Sequence, residues 1–268
     1  MQTLAAGAAT ARVDRARGGR LASLIVHGHE LLVQPPAGRA ADPLSWGCYP
    51  MAPFAGRVRG GRFRWAGAAV ELARNHGGHA IHGTVFDARW MIEHAESDYL
   101  RLRCPLGPGW PLHGWAVQEL ALHPGHLQMR LEVHATDLPF PATAGWHPWF
   151  RPRLEVGGSV EVHVPAQRWY PTNDEGLPTG DLAPVPPRRP WDDCFTAVTW
   201  PATITWPGAL QLDLHATCDH IVLYDQHPSG VCVEPQTGPP DAANLGVARI
   251  VRRHDPLVVE ASLTWHLL

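Results

Sequence analysis

The segment LQMRLEVH, residues 127–134, alternates apolar and polar side chains at every position. In an extended chain successive side chains point to opposite faces, so the apolar residues share one face and the polar residues the other. This pattern is typical of an antiparallel strand with one face in the core and one in solvent. It recurs in two further segments, at Val160, Val162 and Val164 and at Leu210, Leu212 and Leu214.

Short apolar runs elsewhere predict further strands, at residues 21–33, 99–104, 221–224, 231–233 and 257–267. Between these runs the chain is interrupted by 26 glycines and 27 prolines. Both residues disfavour long amphipathic helices, because glycine is flexible and proline cannot donate a backbone hydrogen bond. The sequence therefore predicts an all-β fold.

The chain of 268 residues has one candidate linker, the Pro-rich segment DLAPVPPRRPWDD at 181–193. Apolar alternation resumes directly after this segment without a change in character, so we interpret it as a long loop. All-β domains of this length are often one unit. We therefore expect a single domain over residues 1–268.

The charged residues exclude several kinds of chemistry. All 22 basic residues are arginine, so no lysine is present to form a Schiff base or to complete a GxxxxGK[ST] phosphate loop. The formal net charge is −3, which makes a nucleic acid an unfavourable partner.

The aromatic residues include 12 tryptophans against six Phe and four Tyr, which favours flat apolar binding surfaces.

The five cysteines are scattered and none is spaced as CxxC, which argues against a disulfide framework or a thiolate zinc site. We expect a reducing compartment. The first residues, MQTLAAGAATARVDRARGG, do not have the pattern of a secretion signal, and no run of 18 apolar residues follows. The expected location is cytoplasmic, with no membrane partner.

Four segments concentrate polar and aromatic residues and are interpreted as non-strand segments that present functional groups. They are YPMAPFAGRVRGGRF (49–63), NHGGHAIHGTVFDARW (75–90), GWHPWF (145–150) and VEPQTGPPDAANL (233–245). Loops at strand ends are where a rigid β scaffold usually carries binding and catalytic residues.

The second of these segments suggests a metal site as one alternative, because His76, His79 and His82 are spaced three apart. The intervening glycines and the lack of a nearby acidic residue weaken that interpretation. The chain has 17 histidines, so some clustering arises without function. We expect no metal.

His147 and Glu234 are candidates for proton transfer. A histidine titrates near neutral pH, and His147 lies between two tryptophans. Glu234 follows the apolar run VCV and precedes Pro235, which suggests a partly desolvated carboxylate at a strand end. Desolvation raises a carboxyl pKa toward the range of a general base. Each residue has a structural alternative, a buried aromatic-cluster histidine and a solvated glutamate.

Five elements, in this order, resemble those of the aldose 1-epimerase (galactose mutarotase) family. They are APFAGRVRGGRF, AIHGTVFDARW, WHPWF, WDDCF and EPQTGPPDAANL. These are similar to a PxxNRxxxGxF-like element, an HG-containing segment ending in Trp, an H-[SP]-[YW]-F element, an acidic residue before Phe, and EPxTGxPDA. The resemblance covers almost the whole chain. It implies a large antiparallel β-sandwich of the galactose mutarotase-like supersandwich type.

The resemblance also implies a reaction, the interconversion of the α and β anomers of a hexose by ring opening and closing. It identifies His147 as the general acid and Glu234 as the general base, with Arg57, His82 and Asp192 holding the sugar hydroxyls and ring oxygen. One acid and one base are sufficient for this reaction. The expected partner is a small sugar, and no cofactor is required.

The chain departs from the family pattern at two places. Gly56 stands where an Asn usually precedes the arginine, and WHPWF replaces the common NHSYF. These departures bear on sugar preference more than on catalysis. Of the two adjacent carboxylates we select Asp192 over Asp193, because Asp192 lies three residues before Phe195.

The tryptophans of WHPWF suggest a wall for the apolar face of a pyranose. We include Trp146 among the substrate-binding residues. In a strand of period two, however, Trp146 and Trp149 cannot both point the same way as His147. One of the two is therefore expected in the core, and either remains open for that place.

Three alternatives to a mutarotase are retained. A hexose-6-phosphate 1-epimerase would use Arg57, Arg59 and Arg62 as a phosphate clamp, although GGIP and HGFAR elements typical of that subgroup are absent. A non-catalytic carbohydrate-binding protein would keep the aromatic wall without needing both His147 and Glu234. A metal-dependent cupin would use the spaced histidines.

Overall fold

The computed structural model describes residues 1–36 and 42–268. In these residues it has 25 strands, a short α-helix (α1, Ala242–Leu245) and a 3₁₀ turn (Arg59–Gly61). The strands are β1 (Gln2–Ala6), β2 (Ala9–Asp14), β3 (Arg20–Val26), β4 (His29–Glu30), β5 (Cys48–Met51), β6 (Arg57–Val58), β7 (Arg62–Trp65), β8 (Ala68–Glu71), β9 (Ala80–Ile81), β10 (Met91–Ala95), β11 (Tyr99–Pro105), β12 (Gly114–His123), β13 (His126–Ala135), β14 (Phe140–Ala142), β15 (Gly145–Phe150), β16 (Glu161–His163), β17 (Ala166–Trp169), β18 (Ala183–Pro184), β19 (Asp192–Val198), β20 (Ala202–Trp206), β21 (Leu210–Ala216), β22 (His220–Tyr224), β23 (Val231–Gln236), β24 (Arg249–Val251) and β25 (Leu257–Leu267).

Most strands belong to two large antiparallel sheets. The larger sheet has 11 strands in the order β1-β2-β3-β5-β15-β23-β22-β19-β17-β18, with β4 added at β3. The smaller has eight, in the order β10-β11-β12-β13-β25-β21-β20-β16. Three two-stranded ribbons, β14 with β24, β6 with β9 and β7 with β8, accompany them. The predicted all-β fold and large antiparallel β-sandwich are confirmed.

The main core lies between the two sheets. Leu131 and Val133 of β13 belong to the same buried cluster as Phe150 of β15 and Val233 of β23. The segment LQMRLEVH forms most of β13, which pairs with β12 and β25 along its length. Its apolar positions are buried and its polar positions are half-buried or exposed, as the alternation predicts.

All four segments predicted as non-strand regions contain strand residues, and this is a correction that matters most for two of them. Gly145–Phe150 is β15, buried at all six positions, and Glu234 lies within β23 rather than at its end. Both strands are central in the larger sheet, so both of their faces are covered. A strand covered on both faces loses the polar and apolar alternation that identifies a half-exposed strand.

The Pro-rich segment 181–193 contains β18 and leads into β19. It connects β17 to β19, and these two strands pair with each other. Because it joins neighbouring strands, we propose that residues 1–268 form one domain. None of the helices in the described residues has the length and apolar character required to span a membrane.

Candidate active site

The candidate site lies on the face of the larger sheet that points away from the main core. The cross-strand register forms one row of neighbours over five adjacent strands: Tyr49, His147, Glu234, Val222 and Cys194. Strand pairing thus brings together side chains from three of the four polar and aromatic segments and from the strands beside them.

A cavity of about 280 Å³ opens on this face. It lies near the lower end of the range for small-molecule sites, about 300–1,000 Å³. Five of the predicted site residues line it: His147, Glu234, Arg57, His82 and Asp192. The structure therefore brings these side chains into one place, and the role of each remains a prediction.

His147 and Glu234 form a buried pair at the floor of the cavity. The Nε2 atom of His147 lies 3.2 Å from Oε1 of Glu234, and the side chains are 8% and 3% exposed. The Nδ1 atom of His147 is buried and has no hydrogen-bond partner among the described residues. A histidine and a carboxylate at this separation can share or exchange a proton.

Burial moves the two pKa values in opposite directions. The pKa of His147 is lowered to about 3, mainly by burial and to a smaller extent by the charge of Arg20, against the effect of a backbone hydrogen bond that raises it. Burial raises the pKa of Glu234 well above the ordinary range, with a smaller increase from Asp192 that is opposed by Arg57. Low polarity disfavours the charged form of each group. Burial therefore favours the uncharged form of the pair, with its one titratable proton on Glu234.

His82 reaches the cavity from a strained turn. Its φ of 59° is in the left-handed region, and Gly83 follows with φ 82°. A Cβ on residue 83 would lie 1.9 Å from the carbonyl oxygen of Ala52, so only glycine fits there. The Nδ1 atom of His82 accepts a hydrogen bond from the Gly56 N–H at 3.3 Å. This contact leaves the ring proton on Nε2, as a donor.

Arg57 and Asp192 make an ion pair in the cavity wall, with 3.3 Å between Nη2 and Oδ2. The backbone of Arg57 is held by Asp241, whose N–H donates to the Arg57 carbonyl at 2.6 Å. The Asp241 carboxylate also accepts the Arg59 N–H at 2.9 Å. The aspartate of the EPQTGPPDAANL element is thus a structural anchor for Arg57.

The same element packs closely against Gly56. Gly56 has φ 71°, and a Cβ there would lie 2.7 Å from Cγ of Pro240. Asparagine tolerates a positive φ, so the dihedral alone does not demand glycine. With the backbone as it stands here, a Cβ at position 56 would also require the Pro240 ring to shift, because real Cβ atoms essentially never come so close to another atom.

The prediction that Trp146 binds substrate is wrong for this cavity. Trp146 is 1% exposed, belongs to the main core and donates its indole N–H to Oε1 of Gln118 at 3.0 Å. Trp149 lines the cavity instead. The reason is the strand period: residues 147 and 149 share one face of β15, and residue 146 has the opposite face.

The three histidines weighed as an alternative metal site do not form a ligand group in the described residues. His76 lines the cavity, whereas the Nδ1 atom of His79 accepts the Gly60 N–H at 3.1 Å. The group with ligand atoms within 4.8 Å of one another is His82, His147 and Glu234. Any metal at this site would occupy the same atoms as the proton-transfer pair.

Two aromatic residues of the site were missed by sequence reasoning. Tyr49 stacks on His147 with ring centroids 4.7 Å apart and planes at 23°. Tyr224 lines the cavity and meets the Trp149 ring edge to face at 5.9 Å. The signal for Tyr224 was available, because it ends a predicted strand and shares a face with Val222. For Tyr49 the register with β15 was needed.

Comparison with known proteins gives the following similarities. The sequence model of the family described as Aldose 1-epimerase matches residues 3–251. Two Escherichia coli K12 proteins are similar in sequence. "Uncharacterized protein YphB" is 34% identical over 108 residues, 38% of this chain and 36% of YphB, so the match spans little more than a third of that protein. "Uncharacterized protein YihR" is 26% identical over 256 residues, 86% of this chain and 82% of YihR.

Among solved structures, the GalM/aldose epimerase homologue from C. elegans superimposes with a TM-score of 0.86 at 15% identity. The superposition covers 99% of this chain and 98% of that one. At this identity the likeness concerns the fold.

Proposed function

Because the chain belongs to the aldose 1-epimerase family, we propose that it interconverts the α and β anomers of an aldose. The observation that carries this proposal is the buried pair of His147 Nε2 and Glu234 Oε1, 3.2 Å apart on the cavity floor. Anomer exchange requires the C1 hydroxyl to lose a proton while the ring oxygen gains one. An adjacent acid and base supply both transfers.

The proton count of the pair matches the reaction. Opening the pyranose breaks the bond from C1 to the ring oxygen and forms the C1 carbonyl. Ring opening starts once the proton of the uncharged pair has passed from Oε1 of Glu234 to Nε2 of His147, 3.2 Å away. Glu234 then takes the hydroxyl proton and protonated His147 gives one to the ring oxygen, so the pair holds one proton before and after. Rotation about C1–C2 and the reverse transfers then close the ring as the other anomer.

The burial of the pair favours its uncharged form, with the proton on Glu234. That form is the product of ring opening when Glu234 is the base, and it is the starting point when the open chain closes. Each anomer is therefore reached from the same protonation state of the free-aldehyde complex. The pair needs no external proton during a turnover.

The remaining cavity residues supply contacts for the sugar. Arg57 and Asp192 offer donors and acceptors for hydroxyl groups, and the neutral His82 offers its Nε2 proton. Trp149 and Tyr224 provide apolar surface for the C–H groups of a pyranose. We propose that these five residues hold the substrate with C1 over the pair.

A neutral aldose fits the cavity better than a sugar phosphate. Arg57 is the one arginine that lines the cavity in the described residues, and Asp192 already pairs with it. Arg59, part of the alternative phosphate clamp, pairs with Asp241. Three aspartates, Asp42, Asp192 and Asp193, line the same cavity and would repel a phosphate.

Polarimetry of freshly dissolved aldoses tests the proposal. The protein should accelerate the approach to anomeric equilibrium for at least one neutral aldose, and it should do so after exhaustive chelation. Binding of sugars without any acceleration would favour the carbohydrate-binding alternative. Activity that is lost on chelation and restored by a divalent ion would assign His82, His147 and Glu234 to a metal centre.

A further inference from the structure

Arg20, in β3, is buried behind the cavity with no exposed surface. Its guanidinium donates to four backbone carbonyls: from Nε to Arg17 at 3.0 Å, from Nη1 to Trp46 at 2.9 Å, and from Nη2 to Pro43 at 2.8 Å and Phe86 at 3.1 Å. No carboxylate of the described residues forms an ion pair with it. Burying a charge without a partner of opposite sign lowers the stability of the fold, and the four hydrogen bonds to carbonyls offset part of this cost.

The guanidinium lies against the ring of Tyr49, with 5.1 Å between Cζ and the ring centroid. Tyr49 in turn stacks on His147 at 4.7 Å. Stacking of a cation on an aromatic face is favourable and restricts the ring. We infer that Arg20, which cannot reach a substrate, is a positioning residue that acts through Tyr49 on His147.

Arg20 also holds a wall of the cavity. The carbonyls of Pro43 and Trp46 that accept its hydrogen bonds flank Leu44. The Leu44 carbonyl accepts hydrogen bonds from the Tyr49 hydroxyl at 3.2 Å and from the Trp149 indole at 2.8 Å. Three carbonyls of segment 42–46, those of Pro43, Leu44 and Trp46, are thus held by hydrogen bonds. Residues 42, 44 and 45 of the same segment line the cavity.

The fourth carbonyl, that of Phe86, belongs to the segment that follows His82. One side chain therefore connects the wall at 42–46, the segment after His82 and the ring beneath His147. Arginine suits this place because its planar guanidinium has five N–H donors spread over three nitrogens, so it can reach four carbonyls in different directions. The ammonium of lysine has three donors on one nitrogen.

The charge of Arg20 and the burial of His147 change the pKa of His147 in the same direction. Burial lowers the pKa of His147, and Arg20 lowers it further. The titratable and charged groups around His147 are Tyr49 from β5, Glu234 from β23 and His82 after β9, with Arg20 behind Tyr49.

Substitution of Arg20 tests the inference, whose kinetic arm rests on the proposed function. Arg20→Met should lower kcat at least about tenfold with KM changed less than about threefold, because His147 loses its alignment while the sugar contacts persist. Arg20→Lys should recover part of kcat. Arg130→Met is the matched control, because it makes the same substitution in β13 of the smaller sheet, where Arg130 pairs with Glu132 and Glu260 and does not line the cavity.

A double-mutant cycle keeps the test valid if Arg20→Met does not fold. If Arg20 acts through Tyr49, adding Arg20→Lys to Tyr49→Leu should cause no further loss of kcat. Additive losses, or a kcat in Arg20→Lys equal to that of the wild type, would overturn the inference.

A measurement without substrate separates this inference from the proposed function. The carbon-bound ring protons of His147, identified by their absence in His147→Asn, are displaced by the ring current of Tyr49. Arg20→Lys should move these NMR resonances and Arg130→Lys, in the smaller sheet, should not. If they move in a protein that accelerates no aldose, the proposed function fails and the positioning role stands. Unmoved resonances contradict the positioning role whatever the activity.

Discussion

Both large sheets contain a histidine–glutamate pair in which both residues lie in strands of that sheet, and these two pairs behave in opposite ways. In the smaller sheet Nε2 of His134 lies 2.6 Å from Oε2 of Glu132, and this contact lowers the pKa of Glu132 to about 2. In the larger sheet His147 lies 3.2 Å from Glu234, and burial raises the pKa of Glu234 well above its ordinary range. The same two residue types thus stabilise the charged form of the glutamate in one sheet and its neutral form in the other.

The difference arises from what covers each face. Glu132 is half-buried on the outer face of the smaller sheet, where Arg130 also donates to it at 2.9 Å. Glu234 lies on a face that the cavity walls cover, in a strand whose opposite face is the core. Desolvation exceeds the attraction between partners in the second case only. The fold therefore decides whether a pair is structural or available for proton transfer.

The comparison depends on the larger sheet being covered on both faces, and Trp146→Ala tests the core side. Loss of this buried indole should lower the free energy of unfolding by about 3–5 kcal/mol, measured by denaturant titration. The folded fraction should keep its KM for sugar, because Trp146 does not line the cavity. A weakened sugar affinity with little loss of stability would restore Trp146 to the binding site.

Removal of either member of the buried pair should abolish most turnover. Glu234→Gln and His147→Asn should each lower kcat at least about a hundredfold, or about 2.7 kcal/mol, with sugar affinity preserved. The double variant should be little worse than the poorer single variant, because the two groups serve one step. Polarimetry measures each rate.

Glu132→Gln and His134→Asn are the matched controls from the other sheet. Both should leave the mutarotation rate unchanged. Near-normal turnover in either variant of the buried pair would remove that residue from the mechanism, and losses that add strictly would contradict a coupled pair.

The pH profile of kcat/KM should have a broad plateau. The pair works while it holds one titratable proton. Activity is lost at low pH, when His147 is protonated in addition to Glu234, and at high pH, when neither residue holds this proton. Because the pKa of His147 is lowered to about 3 and that of Glu234 is raised, the limbs lie far apart. An acid limb near the ordinary histidine pKa of about 6.5 would contradict this electrostatic assignment.

The smallest effect is expected for the pair of His134 and Glu132 in the smaller sheet. Glu132→Gln should lower stability by about 1 kcal/mol at neutral pH, because glutamine keeps a hydrogen-bond acceptor for Arg130 and loses only the charge. A lowered carboxyl pKa stabilises the fold above its unfolded value, about 4.3, and this contribution is lost as the pH falls toward the folded value. The difference between wild type and variant should therefore vanish between these values in thermal unfolding at successive pH. A difference that grows on acidification would contradict the sign.

Prediction from the sequence succeeded where one face of a strand meets solvent. β13 and β25 keep the alternation that solvent imposes, and both were predicted close to their bounds. It failed for β15, where six consecutive buried residues show no alternation, and for the extent of β23 beyond Glu234. Five site residues were found through the resemblance of motifs. Tyr49 and Arg20 have no motif, because their role depends on cross-strand register and on carbonyls of distant segments.

The sequence by itself determined the all-β class, the absence of lysine chemistry and the identity of the proton-transfer candidates, because these follow from composition, side-chain period and motif. Only the tertiary structure decided which tryptophan faces the cavity, what packs against Gly56 and in which direction the pKa of each glutamate moves. A sequence specifies which groups are present, whereas solvation and the distance between strands depend on what the fold places above and beside them. The same histidine–glutamate chemistry therefore has two outcomes in one chain.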